Sequence, residues 1–141
     1  MLKALIGIFA AVMLAGCAPM STAPQYSGPT IQGTPGKAVV YLVRTRPDLS
    51  YLTTTIKVDD EIIGATHAGT YFRLELAPGR HRLSGYAQDN GALTLDVQAD
   101  RIYFVQHTVS GSWRATSPHS FFRVIDEARG RAALTGAMHA S

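Results

Sequence analysis

The sequence has 141 residues, of which 46% are hydrophobic and 16% are charged, and its formal net charge is +3. That length fits one domain with a core of ordinary size. The small positive charge and the dispersed arginines are not those of a nucleic-acid-binding protein. A single cysteine excludes a disulfide framework within the chain.

The residues before the cysteine have the pattern of a secretory signal peptide. Lys3 is followed by the apolar run ALIGIFAAVML, residues 4–14, and then by Ala15 and Gly16. A positive residue, a short apolar region and small residues at the processing site are typical of such a peptide. The apolar stretch is shorter than the roughly 20 residues that a membrane-spanning helix needs. We therefore expect residues 1–16 to be removed.

The sequence LAGC, residues 14–17, resembles the lipobox of bacterial lipoproteins. The resemblance implies that diacylglycerol is attached to the Cys17 thiol, that the chain is cleaved before Cys17, and that the new amino terminus is acylated. A thiolate is a strong nucleophile near neutral pH, which suits this chemistry. Ala18 stands where an aspartate would imply retention in the inner membrane, so the resemblance implies an outer-membrane lipoprotein that faces the periplasm. The alternative for Cys17 is a free, buried core cysteine.

The stretch APMSTAPQYSGPTIQGTPG, residues 18–36, has no charged residue and is rich in proline, glycine, serine and threonine. This composition cannot bury a core, so it predicts a flexible tether with an average reach of about 25 Å. We assign residues 17–36 to the lipidated N-terminus and the tether, and residues 37–141 to a folded domain.

From Lys37 onward, β-rich runs alternate with turns. Runs of β-branched and aromatic residues, several with period-two alternation, indicate strands. The predicted strands are Ala38–Arg44, Thr53–Asp59, Glu61–Ala65, Tyr71–Leu76, Arg80–Ala87, Leu93–Val97 and Ile102–Val109. The last strand is apolar on both faces, so we expect it in the middle of a sheet.

Turn residues separate these strands. Asp59-Asp60 suits a tight turn, and Pro78-Gly79 predicts a hairpin that pairs residues 71–76 with residues 80–87. Asp89-Asn90-Gly91 is a further hairpin signal.

The end of the chain has a different pattern. We expect a loop over residues 111–120 and a short helix over Phe121–Leu134, where apolar residues recur at helical spacing and Gly130 weakens the helix. About six or seven short strands, with turn signals about every 8–12 residues, predict an all-β fold. The expected architecture is an antiparallel β-sandwich, or a partly open barrel, with a short C-terminal helix.

Three stretches carry a further resemblance. They are VYLVRTRP at 40–47, IKVDDEIIGATHAGTYFRLELAPGRHRL at 56–83 and LTLDVQADRIYFVQ at 93–106. They contain a V-D-x-x-x-I-G hairpin, an aromatic G-x-Y-F strand and an L-x-P-G-x-H turn. The chain thereby resembles domain-of-unknown-function family 2846 (DUF2846), small proteobacterial proteins that are often lipoproteins, over roughly residues 40–136. The resemblance implies a fold and carries no established activity.

Histidines are the first candidates for chemistry. The five histidines are His67, His81, His107, His119 and His139. The pair nearest in sequence, His107 and His119, is twelve positions apart, whereas zinc sites usually include a pair with about three to five residues between them. His81 and His107 lie in predicted strands and could be neighbours across a sheet. We predict solvated or hydrogen-bonded core histidines, with no metal and no cofactor.

The two candidate stretches for catalysis or cation binding also have ordinary structural interpretations. Ser110-Gly111-Ser112 lies near His107, but the chain has no G-x-S-x-G nucleophile motif, and Ser-Gly-Ser is ordinary loop composition. Asp59-Asp60-Glu61 lacks the ligand spacing of a calcium loop and suits a solvated turn. We predict no catalytic residue and no enzymatic activity.

Two sets of side chains have both a structural and a binding interpretation. Aromatic residues on the second face of the sandwich strands pack under the C-terminal helix in the first interpretation. In the second, Tyr71, Tyr86 and Trp113 form a platform for a small ligand or glycan. The four charged residues of the predicted hairpin either pair across its strands or form a basic patch for lipid phosphates or an acidic partner. They are Arg73, Glu75, Arg80 and Arg82.

The leading interpretation is a non-enzymatic outer-membrane lipoprotein. Its lipid anchor would hold the domain on the membrane, and the domain would act as an interaction or envelope-structural module. An envelope protein could add a strand to an exposed edge of the predicted sheet. The alternative is the small-ligand or glycan-binding sandwich.

Overall fold

The computed structural model describes residues 28–45, 53–85, 91–110 and 119–140. The predicted signal peptide, Cys17, Tyr86 and Trp113 lie outside these residues. The strands are β1 (Ala38–Arg44), β2 (Thr54–Val58), β3 (Glu61–Thr66), β4 (Thr70–Leu76), β5 (Gly79–Gly85), β6 (Ala92–Val97), β7 (Ile102–Ser110), β8 (His119–Ile125) and β9 (Met138–His139). The helix of the described residues is α1 (Glu127–Leu134).

The strands form two sheets. The five-stranded sheet has the order β8-β7-β1-β4-β9, and the four-stranded sheet has the order β3-β2-β5-β6. The predicted all-β sandwich is therefore confirmed, and β7 lies inside its sheet as its two apolar faces predicted. Two pairings, β1 with β7 and β4 with β9, are parallel, which the expected antiparallel arrangement did not include.

Two apolar layers lie on the two sides of β1, whose seven residues are all buried. The inner core, between the two sheets, includes Val40, Leu42, Ile56, Leu83 and Val105. The outer core, between the five-stranded sheet and α1, includes Tyr41, Val43, Phe104 and Leu134. Successive residues of β1 point into alternate layers, which explains why AVVYLVR has no polar face.

The connection after β4 is not the predicted hairpin. β4 pairs with β1 and β9, whereas β5 pairs with β2 and β6. Ala77 and Pro78 therefore carry the chain from one sheet to the other, and Gly79 makes this passage with φ of +135°. The Pro-Gly signal marks a change of direction, but it does not specify which strands pair on either side of it.

The predicted charge pairs across that hairpin are wrong for the same reason, because the strands that carry them lie in different sheets. Arg73 instead forms an ion pair with Glu75 on its own strand. Arg82 forms one with Asp60 in the β2–β3 turn, across 3.0 Å.

The predicted C-terminal helix is divided into a strand and a shorter helix. Residues 119–125 form β8, which pairs antiparallel with β7. The helix starts only after Asp126, whose side chain accepts a hydrogen bond from the Arg129 amide at 2.8 Å and caps α1. β8 is an edge strand in which Phe121 and Val124 are 50% and 48% exposed on opposite faces. Burial alternates over the first five residues of β8 but breaks at Val124, which is exposed like the residue before it, so the strand lacks a continuous period-two pattern.

Residues 28–34, which we call the pinned segment, contact the domain although they were assigned to the tether. Ile31 packs against the outer core, and the backbone amide of Gln32 donates a hydrogen bond to the Tyr41 hydroxyl at 3.1 Å. The packed part of the chain therefore begins before Lys37, the predicted boundary.

Candidate functional site

Tyr71 is the predicted ligand-site residue that the structure describes, and it is buried. Its ring lies in the outer core, with its centroid 6.3 Å from that of Tyr41 and 5.2 Å from that of His139, the latter edge-on. Tyr71 therefore contributes to packing, the first of its two interpretations. Tyr86, Trp113 and Cys17, the predicted lipidation residue, lie outside the described residues.

One polar cluster lies at the β2–β3 turn. Asp59 and Asp60 have positive φ angles of 51° and 69°, which suit the tight turn that joins these strands. The Asp59 carboxylate accepts hydrogen bonds from the Arg82 amide at 2.8 Å and from His81 Nδ1 at 2.6 Å. The other ring nitrogen, His81 Nε2, lies 2.8 Å from the carbonyl oxygen of Ala77.

Both partners of the His81 ring are acceptors, so both ring nitrogens donate and the ring is the imidazolium form. The hydrogen bond to Asp59 raises the pKa of His81, although partial burial of the ring opposes this. The pKa of Asp59 is lowered, first by the Arg82 amide and then by His81. This ion pair fastens the β2–β3 turn to β5 and to the passage between the sheets. It also links Asp59 of the V-D-x-x-x-I-G hairpin to His81 of the L-x-P-G-x-H turn.

The stability of the domain should depend on pH through His81. Because folding raises the His81 pKa, the pair contributes fully below the unfolded value of about 6.5, and the contribution is lost as pH rises through the folded pKa. Asp59 is half exposed, so water screens the pair and we expect only about 0.5–1 kcal/mol. Urea unfolding at about pH 6 and about pH 9 measures the change.

Two variants separate this pair from other titrations. His81→Ala should remove this part of the pH dependence. His67→Ala is the matched control, because His67 contacts the Thr53 hydroxyl rather than a carboxylate. An equal pH dependence in wild type and His81→Ala would contradict the assignment.

A second polar cluster is buried at the opposite end of the sandwich. His107 of β7 is fully buried, and its ring stacks on Phe122 of β8 with centroids 4.7 Å apart. Nδ1 lies 3.2 Å from Thr66 Oγ1, and Nε2 lies 3.1 Å from Ser120 Oγ. Arg44, also fully buried, donates from Nη1 to the Thr66 carbonyl at 3.0 Å.

The hydroxyl groups set the direction of these hydrogen bonds. Thr66 donates its hydroxyl hydrogen to the carbonyl of Thr54 at 3.3 Å, so Thr66 Oγ1 accepts from His107 Nδ1. In a neutral ring Nε2 is then the acceptor, and it receives the hydroxyl hydrogen of Ser120. The result is one directed chain from Ser120 through His107 and Thr66 to Thr54.

This contact between serine and histidine does not resemble an accessible nucleophile and base. Ser120 is 3% exposed and lies beneath Gly85 and Gly91. A Cβ at Gly85 would lie 2.3 Å from Ser120 Oγ, so glycine is needed for this close approach. The third position of a triad is occupied by the Thr66 hydroxyl instead of a carboxylate.

The two histidines singled out from the sequence are not neighbours. His81 lies at the β2–β3 turn, and His107 lies at the other end of the sandwich beside Ser120. Within the described ranges, no group of three or more His, Cys, Asp or Glu side chains could hold a metal ion. The buried cluster itself was not predicted. Its signal was Arg44 and His107, two ionisable residues in strands that are otherwise uncharged.

Four large apolar side chains of the described residues are exposed, Ile62 on β3, Phe121 and Val124 on β8, and Met138 on β9, so β8 carries two of them. Phe121 and Val124 lie on β8, which within the described part of the chain pairs with β7 alone and forms one edge of the five-stranded sheet. An edge strand presents backbone N–H and C=O groups along its free side, and it can pair with an extended segment. The sequence did not predict this surface because residues 121–125 were assigned to a helix.

Comparison with known proteins yields a family and nothing closer. No curated protein and no solved structure matches the chain. The family described as "Protein of unknown function (DUF2846)" matches residues 34–119. The match begins just before β1 and ends at the first residue of β8, so it covers the core strands and leaves α1 and β9 outside. The chain belongs to the DUF2846 family of proteins of unknown function.

Proposed function

We propose that this protein is an outer-membrane lipoprotein that faces the periplasm, and that its sandwich is a non-catalytic module that binds another envelope protein. LAGC and the preceding apolar run support the lipid anchor at Cys17. Among the described residues, no helix is both long and apolar enough to cross a bilayer.

The observation that carries the binding role is the edge strand β8. Among the described residues β8 pairs with β7 alone, and it carries the exposed side chains of Phe121 and Val124. An incoming strand gains main-chain hydrogen bonds from such an edge and places alternate side chains against the apolar groups. The partner that fits is an extended, apolar segment of an envelope protein.

Cys17→Ser should move the protein from the membrane fraction to the soluble periplasmic fraction, because no acyl chain would then be attached. The measurement is fractionation of cells that make the full chain, together with metabolic labelling by a radioactive fatty acid. The control is Ser141→Cys, which adds a thiol without touching residues 14–17. Membrane association of Cys17→Ser would contradict the anchor.

The same cells test the binding role. A photo-crosslinking amino acid at Phe121 should capture a defined envelope protein, whereas the same group at Thr94, exposed on β6, should not. Capture that is equal at both positions, or absent at Phe121, would exclude β8 as the binding edge.

A further inference from the structure

The pinned segment is held to the outer face of the five-stranded sheet by side chains of β1 and β4. Arg73 donates from Nη2 to the Gln32 carbonyl at 3.1 Å and to Thr34 Oγ1 at 2.9 Å. The Thr34 hydroxyl donates to Glu75 Oε1 at 2.6 Å, and Glu75 also pairs with Arg73. Arg73, Thr34 and Glu75 are therefore all bonded to one another, and together they hold the segment to β4 at Thr34.

The remainder of the segment is also in contact with the domain. The Tyr41 hydroxyl accepts from the Gln32 amide at 3.1 Å, and Ile31 lies against the outer core. Gly28 passes so close to the C-terminal end of α1 that an added Cβ would lie 3.2 Å from the carbonyl oxygen of Leu134. The chain therefore reaches the domain at the end of α1, on the outer face.

This entry point shortens the part of the chain that could separate the domain from an anchor. Cys17 to Lys37 would span at most about 66–72 Å when fully extended, whereas Cys17 to Gly28 spans at most about 36–40 Å. A domain of this size has a radius of gyration of about 13 Å and is therefore about 35 Å across. If only residues 17–28 connect the domain to the anchor, this connection must be almost fully extended around the domain before the outer face can turn away from the membrane.

We propose that the pinned segment orients the domain on the bilayer, with α1 and the outer face of the five-stranded sheet toward the phospholipid headgroups. The four-stranded sheet then faces away from the membrane. This orientation rests on the proposed lipid anchor at Cys17, and it depends on the hydrogen bonds of Arg73 and Tyr41 to residues 30–34.

The test uses the mature lipoprotein in vesicles of phosphatidylethanolamine and phosphatidylglycerol. Lipidation blocks the thiol of Cys17, so an introduced cysteine is the single site for a fluorescent donor. Ala132→Cys places the donor on α1, and Thr94→Cys places it on β6 of the four-stranded sheet; both positions are exposed. Energy transfer to acceptor-labelled lipid should be higher from position 132 than from position 94.

Releasing the segment should abolish that difference. The triple variant Tyr41→Phe, Arg73→Gln and Glu75→Ala removes the side-chain bonds to residues 30–34 and leaves the aromatic core in place. Arg82→Gln is the matched control, because it also removes an arginine from an ion pair but does not contact the pinned segment. The control should keep the wild-type difference.

The two proposals fail in different ways. Protein that does not sediment with the vesicles would overturn the anchor and the orientation together. Protein that is bound but shows equal transfer from positions 132 and 94, or higher transfer from 94, would overturn the orientation while leaving the anchor standing.

Discussion

Replacing His107 with leucine should lower the free energy of unfolding by about 2–3 kcal/mol. The leucine fills a similar volume but makes no hydrogen bond, so Ser120 Oγ loses its ring partner and Thr66 Oγ1 loses a donor. Both hydroxyl groups stay buried, and a buried polar group without its partner retains its desolvation cost. Urea unfolding followed by circular dichroism measures the change.

A second substitution identifies the hydrogen bond as the cause. Ser120→Ala in the His107→Leu background should recover about 1 kcal/mol, because the stranded hydroxyl is removed. Ser120→Ala alone should be destabilising, since it leaves Nε2 of His107 without this partner. Two results would contradict a stabilising role for the hydrogen bonds of His107. One is a His107→Leu variant as stable as wild type, and the other is a double variant whose loss of unfolding free energy equals the sum of the two single losses.

Gly130→Ala should destabilise the domain by about 1–3 kcal/mol, although alanine is the better helix former. Gly130 is buried in α1, and a Cβ there would lie 2.2 Å from Cγ of the Phe104 ring. Phe104 is itself buried and stacked on Tyr41 with centroids 5.7 Å apart, so the ring has little room to move. The added methyl group must therefore push α1 away from the sheet.

The opposite exchange on the exposed side of α1 is the control. Ala128→Gly should cost about 1 kcal/mol through helix propensity alone, because Ala128 is exposed. Thermal and urea unfolding of both variants separate the cost of the contact between the added methyl group and Phe104 from the effect of helix propensity. A stabilised Gly130→Ala variant would show that α1 does not lie against Phe104.

Features that depend on neighbouring residues could be predicted from the sequence. The runs AVVYLVR and IYFVQHTV are rich in β-branched and aromatic residues, and both form strands inside the five-stranded sheet. Asp59 and Asp60 were assigned to a turn, and they form one between β2 and β3. In each case composition alone determines the local conformation, and the tertiary structure does not oppose it.

Features that depend on distant pairing could not be predicted. Pro78-Gly79 has the composition of a hairpin turn, yet the strands on either side join different sheets because β1 and β2 provide their partners. FFRVI has strong β propensity, but its exposed side chains Phe121 and Val124 are apolar and lie on opposite faces, so apolar and polar residues do not alternate along it.

The polar clusters are harder still to predict. Asp59 meets His81 because one lies in a turn of the four-stranded sheet and the other in β5, the strand on the far side of β2 from β3. His107 meets Ser120 only through the register of β7 with β8. Neither pair is close in sequence, so no spacing rule indicates it.

The parallel pairing of β1 with β7 limits the order in which the chain can fold. β1 pairs with β4 on one side and with β7 on the other. The pairing with β7 joins Val39 to Ile102, so it cannot form until residue 102 is available. Pairing over such a separation raises the contact order and slows folding, because a long loop is closed before the pairing stabilises it. In a chain that emerges from its N-terminus, one edge of the apolar strand β1 can pair with β4 once residue 76 has followed, but the other edge stays open until residue 107 has followed. A chaperone that binds unpaired apolar strands would therefore find its earliest target in the domain at β1.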